Sequence, residues 1–191
     1  MKHVNWETSA GNFVDAVASA SATPGGGSAS AVMAAAGCGL CMMAANITIK
    51  NKSTSEEDKK ILNAALDALF DIKETLKAGA AADAEAYEKV VSARKLPKES
   101  RARAALLDEA LQAAALVPLE TARRAREAVQ KAGEIEGKIW PVIMSDIVCG
   151  KIMLEAAITC LAQNVKANLP YIKDKNFKAS LMAAVAEAVK K

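Results

Sequence analysis

Thr23-Pro24-Gly25-Gly26-Gly27-Ser28 separates two helical patterns. Before it, Trp6 to Ser19 is amphipathic. After it, Ser28 to Ile49 runs without one charged residue. Three consecutive glycines tolerate backbone angles that other residues resist, and they let a ligand or another chain approach the main chain closely. Ser28 fits the N-cap of the second helix. Free N–H groups and partial positive charge at such a helix start suit a carboxylate or phosphate. The plainer alternative is a tight helix–helix turn.

A chain of 191 residues is read as one domain, residues 1–191, with room for a sizeable core. Alanine is abundant, aromatics make up 4%, and strand-like alternation is nearly absent, which predicts an all-helical protein with closely packed helices. A net charge of +3, with no basic-aromatic module, points away from nucleic acid. The N-terminus, Met1-Lys2-His3-Val4-Asn5-Trp6-Glu7, has no signal-peptide core. Residues 28–49 could span a bilayer by length. They are mostly Ala, Gly, Ser, Cys and Met, however, which suits a helix buried in a bundle and predicts no membrane association. Cys38-Gly39-Leu40-Cys41 matches C-x-x-C but lies inside a helical run with no second pair or His nearby, so no metal site is expected. All four cysteines, these two with Cys149 and Cys160, are expected as buried reduced thiols, in keeping with a cytoplasmic protein.

Periodicity and breakers predict helices over about 5–21, 28–49, 55–93, 99–132, 142–169 and 175–190. Ser55 before Glu56, Glu57 and Asp58 is a strong helix start. Leu96 precedes Pro97 and marks a break. Gly79 is expected to bend the third helix and Pro118 to kink the fourth, with Gly133 and Gly137 ending it. Long helices and short turns give an antiparallel up-and-down bundle of five to six helices.

His3 is the lone histidine, and Glu-x-x-His pairs, phosphate loops and nucleophile elbows are absent. Chemistry must rest on carboxylates, Lys, Arg, Tyr and amides. Asp83, Tyr87, Val90 and Arg94 share one helical face. Asn164 and Asn168 sit one turn apart, Ser145-Asp146 opens a helix, and Lys95 and Lys98 flank a turn. Each has a plain structural alternative: an ion-paired face, a C-terminal cap, an N-cap, a solvated turn.

Taken together these segments resemble the cyclodeaminase/cyclohydrolase family of folate enzymes. The matching motifs are Thr23-Pro-Gly-Gly-Gly-Ser28-Ala29, Ala82-Asp83 with Ala86-Tyr87, Val90 and Ala93, Lys95-Leu96-Pro97-Lys98, Val117-Pro118-Leu119, Ser145-Asp146, and Asn164-Val165 with Asn168-Leu169. They stand in family order over almost the whole chain. Gly137-Lys138-Ile139-Trp140-Pro141 departs from the Gly-Asn-rich lead into Ser145-Asp146. The resemblance implies a dimerising all-α bundle and a folate substrate, without a formiminotransferase portion. Its expected activity is hydrolysis of 5,10-methenyltetrahydrofolate to 10-formyltetrahydrofolate. The alternatives are formiminotetrahydrofolate cyclodeaminase and a non-catalytic folate-binding scaffold.

The resemblance assigns Asp83, Asp146 and Lys95 to catalysis. It assigns Pro24, Gly25, Gly26, Gly27, Ser28, Tyr87, Lys98, Asn164 and Asn168 to the substrate. No metal or cofactor is expected beyond the folate itself, because its amidinium bridge is already electrophilic. A carboxylate facing the attacking water helps the rate, whereas one merely paired with the cation stabilises the ground state too. Helical arithmetic puts Asp146 roughly 33 Å from Asn168 along the fifth helix. A site using both Asp83 and Asp146 therefore implies a twofold partner that brings one bundle's top beside the other's bottom.

Overall fold

The structure is a computed structural model that describes residues 10–190. Its helices are α1 (Ala10–Val17), α2 (Gly26–Lys50), α3 (Glu56–Lys95), α4 (Arg101–Glu136), α5 (Met144–Asn168) and α6 (Lys175–Val189). Short 3-10 turns, Pro141–Ile143 and Leu169–Tyr171, flank α5. No strand occurs among the described residues.

Polar and close contacts fix the topology. Cys38 Sγ donates to the Leu69 carbonyl and Ser28 reaches Asp83, so α2 and α3 run antiparallel. Cys41 lies beside Ile147, and Gly26 beside Asn164, so α2 and α5 do too. Arg126 meets Glu155, and Asn168 reaches Ala114, which sets α4 against α5. These four helices form a closed up-and-down ring, with α6 packed on α4 and α5. The predicted all-α antiparallel bundle is the fold observed.

Small residues let the ring close. A Cβ on Gly37 would lie 2.8 Å from the Gly150 carbonyl oxygen, and one on Gly150 would lie 2.6 Å from Cys41 Sγ. The two backbones therefore meet almost in contact. Leu62, Leu69, Leu76, Leu154 and Ile158 fill the upper core, and Val90, Leu111, Leu119, Val165 and Leu181 the lower one. Alone among the described helices, α2 is long and apolar enough to cross a membrane; here its small residues pack on α3 and α5.

Several expectations need correction. The sequence pattern predicts a first helix over 5–21; α1 ends at Val17, and residues 1–9, with His3 and Trp6, lie outside the described residues. Ser19 explains the early stop: its hydroxyl donates to Ala16 O and accepts from Ser21 N, a local bond that competes with the helix. Ser28 is not an N-cap. Gly25 caps α2 in an extended conformation, and the helix starts at Gly26, two residues earlier than expected. Beyond any bend, Gly79 lets α3 and α4 approach closely, since a Cβ there would lie 2.8 Å from Thr121 Oγ1. α4 continues past Gly133 to Glu136 and is capped by Gly137. Cys38 and Cys41 are buried as expected, but Cys149 and Cys160 are exposed on the outer face of α5. Burial pushes the Cys38 thiol up to about 12 and Cys41 up to about 11, so neither is poised as a thiolate.

Candidate active site

α2 starts part-way up the bundle, and its first turn faces α3 on one side and α5 on the other. Gly27 and Ser28 are buried there. Ser28 N–H donates to Asp83 Oδ2 at 2.9 Å, and Ser28 Oγ lies 2.9 Å from the same oxygen and 3.0 Å from the Ala80 carbonyl. The carboxylate thus accepts the Ser28 N–H in the first turn of α2, where negative charge is favoured. The glycine next door is obligatory: a Cβ on Gly27 would lie 2.0 Å from Asp83 Oδ1. Gly26 faces the other wall, where its Cβ would lie 3.3 Å from Asn164 Oδ1. A cis peptide links Thr23 to Pro24, which is buried beneath this turn.

The electrostatics follow from this seat. Burial raises the Asp83 carboxyl above its ordinary range, against the lowering pull of the two Ser28 hydrogen bonds. No cation is among the causes. Proton counting adds a second point. A hydroxyl has one proton, and Ser28 Oγ has two oxygens in reach. With Asp83 ionised, Ser28 donates to it. With Asp83 protonated, the carboxyl donates to Ser28 and Ser28 turns its own proton to Ala80. The pair accommodates both charge states with the same heavy atoms. Asp83 Oδ1 has no hydrogen-bond partner among the described residues, which leaves it for a proton from a ligand or water.

Asp83, Gly26, Gly27, Ser28 and Asn164 are therefore brought together, with Tyr87 one turn below Asp83 on the same face and 41% exposed. The Asn168 amide nitrogen braces the scaffold. Pro118 has no N–H for the Ala114 carbonyl, and Asn168 Nδ2 takes that place at 3.0 Å while also donating to Asn164 O. No local pattern marks this role, because the two residues are 54 apart in sequence.

Three expected residues lie elsewhere. Lys95 ends α3, about 18 Å along the helix from Asp83. Lys98 is exposed in the following turn. Asp146 lies in the first turn of α5, level with Cys41, so it stands about 21 Å above Gly27 on the α2 register. Asp146 is not a cap either: Ile143 is the N-cap of α5, without a side-chain bond. Among the described residues no group of three His, Cys, Asp or Glu side chains could hold a metal.

Comparison with known proteins bears on the chain as a whole. The family model for formiminotransferase-cyclodeaminase matches residues 9–187. The methenyltetrahydrofolate cyclohydrolase of Methylorubrum extorquens is 35% identical over 169 residues, 86% of this chain and 81% of that one. The formimidoyltransferase-cyclodeaminase of Gallus gallus is 32% identical over 173 residues, and the match spans 88% of this chain but only 32% of that protein. The crystal structure of formiminotetrahydrofolate cyclodeaminase from Thermotoga maritima superposes with a TM-score of 0.86 at 28% identity, covering 95% of this chain and 88% of that one. In sequence, fold and extent, the chain belongs to the formiminotransferase-cyclodeaminase family.

Proposed function

We propose that the protein hydrolyses 5,10-methenyltetrahydrofolate to 10-formyltetrahydrofolate, with Asp83 as the general base. The carrying observation is a carboxyl of raised pKa on the Gly27–Ser28 helix start, with one oxygen unbonded and no cation beside it among the described residues. The Methylorubrum relative, matched over most of its own length, supports the same activity. Water adds to the bridging carbon of the amidinium, and Asp83 takes one of its protons. The adduct then breaks its bond to N5, which takes a proton from Asp83 as the carbinol oxygen loses its own. The balance is substrate cation plus water giving the formyl compound plus one proton. Every step uses groups present here, and a base with its pKa moved toward working pH suits it. In this proposal no cofactor is needed beyond the substrate, and the protein works in the cytoplasm.

The second reading is formiminotetrahydrofolate cyclodeaminase. It is favoured by the Thermotoga protein, which carries that name and has a similar extent. The assay that decides follows loss of methenyltetrahydrofolate absorbance and release of ammonia from the formimino compound with one preparation. Absorbance loss supports the proposal. Ammonia release alone moves the assignment to the second reading, and neither activity leaves a folate-binding scaffold.

A homodimer completes the proposal. The outer face of α2 repeats Ala29, Val32, Ala36, Gly39 and Met43 at alternating spacings of three and four, and residues 26–49 carry no charge. Such a stripe is the seam of a helix pair. On neighbouring α5, Ile152 is 62% exposed. An antiparallel second copy on this face brings the partner's Asp146 down toward Asp83, whereas within one chain the two stand about 21 Å apart. Complementation tests it. Mixed dimers of inactive Asp83→Asn and inactive Asp146→Asn should recover activity, through one intact site per dimer. Verified heterodimers that stay inactive rule out the shared site, and a fully active Asp146→Asn removes that residue from the chemistry.

A further inference from the structure

The face of α3 that carries Asp83 continues downward through Tyr87 and Val90 to Arg94. Eleven residues at 100° each bring Arg94 back to within about 20° of Asp83, and about 16 Å below it. Val90 is buried. Tyr87 and Arg94 are exposed. The Arg94 guanidinium lies 5.4 Å from the centroid of the Tyr171 ring, which the 3-10 turn after α5 supplies. Arg94 has no carboxylate partner among the described residues, in contrast to Arg123, Arg124 and Arg126, each of which is paired. Its guanidinium is therefore held on an aromatic face with its N–H donors unspent on any acid.

We propose that Arg94, held on the Tyr171 ring, binds the carboxylate tail of the ligand whose reactive end meets Asp83; this rests on the folate reading above. Two features of the chemistry fit. Both side chains lean toward the N-terminus of the helix, the longer Arg94 further than Asp83, so the guanidinium and the carboxyl stand roughly 11 to 16 Å apart. In a reduced folate a benzoyl ring and an amide separate the bridging carbon from the glutamate carboxylates by roughly 10 Å, from ordinary bond lengths. A planar fork of donors also matches a carboxylate in two-point contact, and stacking on Tyr171 fixes its plane in advance. Lys95 and Lys98, which also have no carboxylate partner among the described residues, are close by along the chain and add positive potential at the same end.

The test compares two substrates that differ only in the tail, methenyltetrahydrofolate and methenyltetrahydropteroate, which lacks the glutamate. Arg94→Gln should raise KM for the first by roughly 10- to 100-fold, the loss of a charge-assisted hydrogen bond, with kcat within about twofold. It should leave KM for the second unchanged. Tyr171→Ala should reproduce part of the selective effect. Equal effects on the two substrates, or none on either, overturn the proposal, since a stack that only stabilises the fold cannot distinguish the tails. If the wild type turns over neither substrate, the catalytic reading falls by itself. Calorimetric binding of tetrahydrofolate and tetrahydropteroate to wild type and Arg94→Gln then decides the clamp: weakening confined to tetrahydrofolate upholds it, and equal weakening or no binding overturns it.

Discussion

Two aspartates of α3 each meet a serine, one in the first turn and one well down the helix, with opposite results. Asp58 lies in the first turn of α3. Its carboxylate accepts from Ser55 Oγ at 2.8 Å and from Lys138 Nζ at 2.6 Å, and these bonds, Lys138 first, hold it below its ordinary range. Asp83 lies lower on the same helix. It also accepts from a serine, but it has no cation, and burial lifts it above the ordinary range. A serine alone does not decide what a carboxylate does. A paired, solvated acid stays ionised and adds modestly to stability. A buried acid without a counter-charge takes up its proton at a higher pH than a solvated, paired one.

The largest expected effect on this contrast comes from Gly27→Ala. The new methyl overlaps Asp83 Oδ1, so the carboxyl must leave its seat. Activity should fall by about 10²- to 10⁴-fold, the worth of a positioned general base, while far-ultraviolet circular dichroism still reports a helical protein. Full activity in Gly27→Ala shows that the seat does not matter.

Ser28→Ala is milder. It removes one of the two bonds that lower the Asp83 pKa and keeps the backbone bond. The acid limb of kcat/KM should move to higher pH, with a loss of roughly tenfold below that limb. A limb that moves to lower pH contradicts the assignment.

Asp58→Asn should have the smallest effect. A carboxyl with a lowered folded pKa contributes stability above its unfolded pKa and loses it as pH falls through the folded one. Asp58→Asn should therefore lower Tm slightly at neutral pH, match the wild type in acid, and leave turnover unchanged. Asp83 has the reverse sign. Wild-type stability should fall as pH rises from the ordinary carboxylate range through the raised folded pKa, and Asp83→Asn should lack that component.

The same comparison explains what was legible. Ser55 was readable as a cap because its partner, Asp58 N–H, is three residues away and acids follow at once. Ser28 also precedes a helical run, but its partner is 55 residues away, so no local signal separates it from a cap. Helix positions came through because breakers such as Pro97 and Pro170 and the apolar periodicity are local signals. The scaffold role of Asn168 was hidden because it depends on a carbonyl freed by Pro118 on another helix. The exposure of Cys149 and Cys160 is not legible for a related reason: the outer face of α5 is nearly as apolar as its inner one, so composition does not tell them apart. Family order supplied Asp83, Gly26, Gly27 and Asn164 together, and the fold brings those four to one place.

The central claim is that the Asp83 carboxyl is the base, and kcat/KM for methenyltetrahydrofolate against pH, in wild type and Asp83→Asn, tests it most directly. The wild type should show an acid limb above the ordinary carboxylate range, and Asp83→Asn should lose about 10²- to 10⁴-fold together with that limb. An Asp83→Asn protein that keeps wild-type rates, or keeps the same limb, would contradict the account.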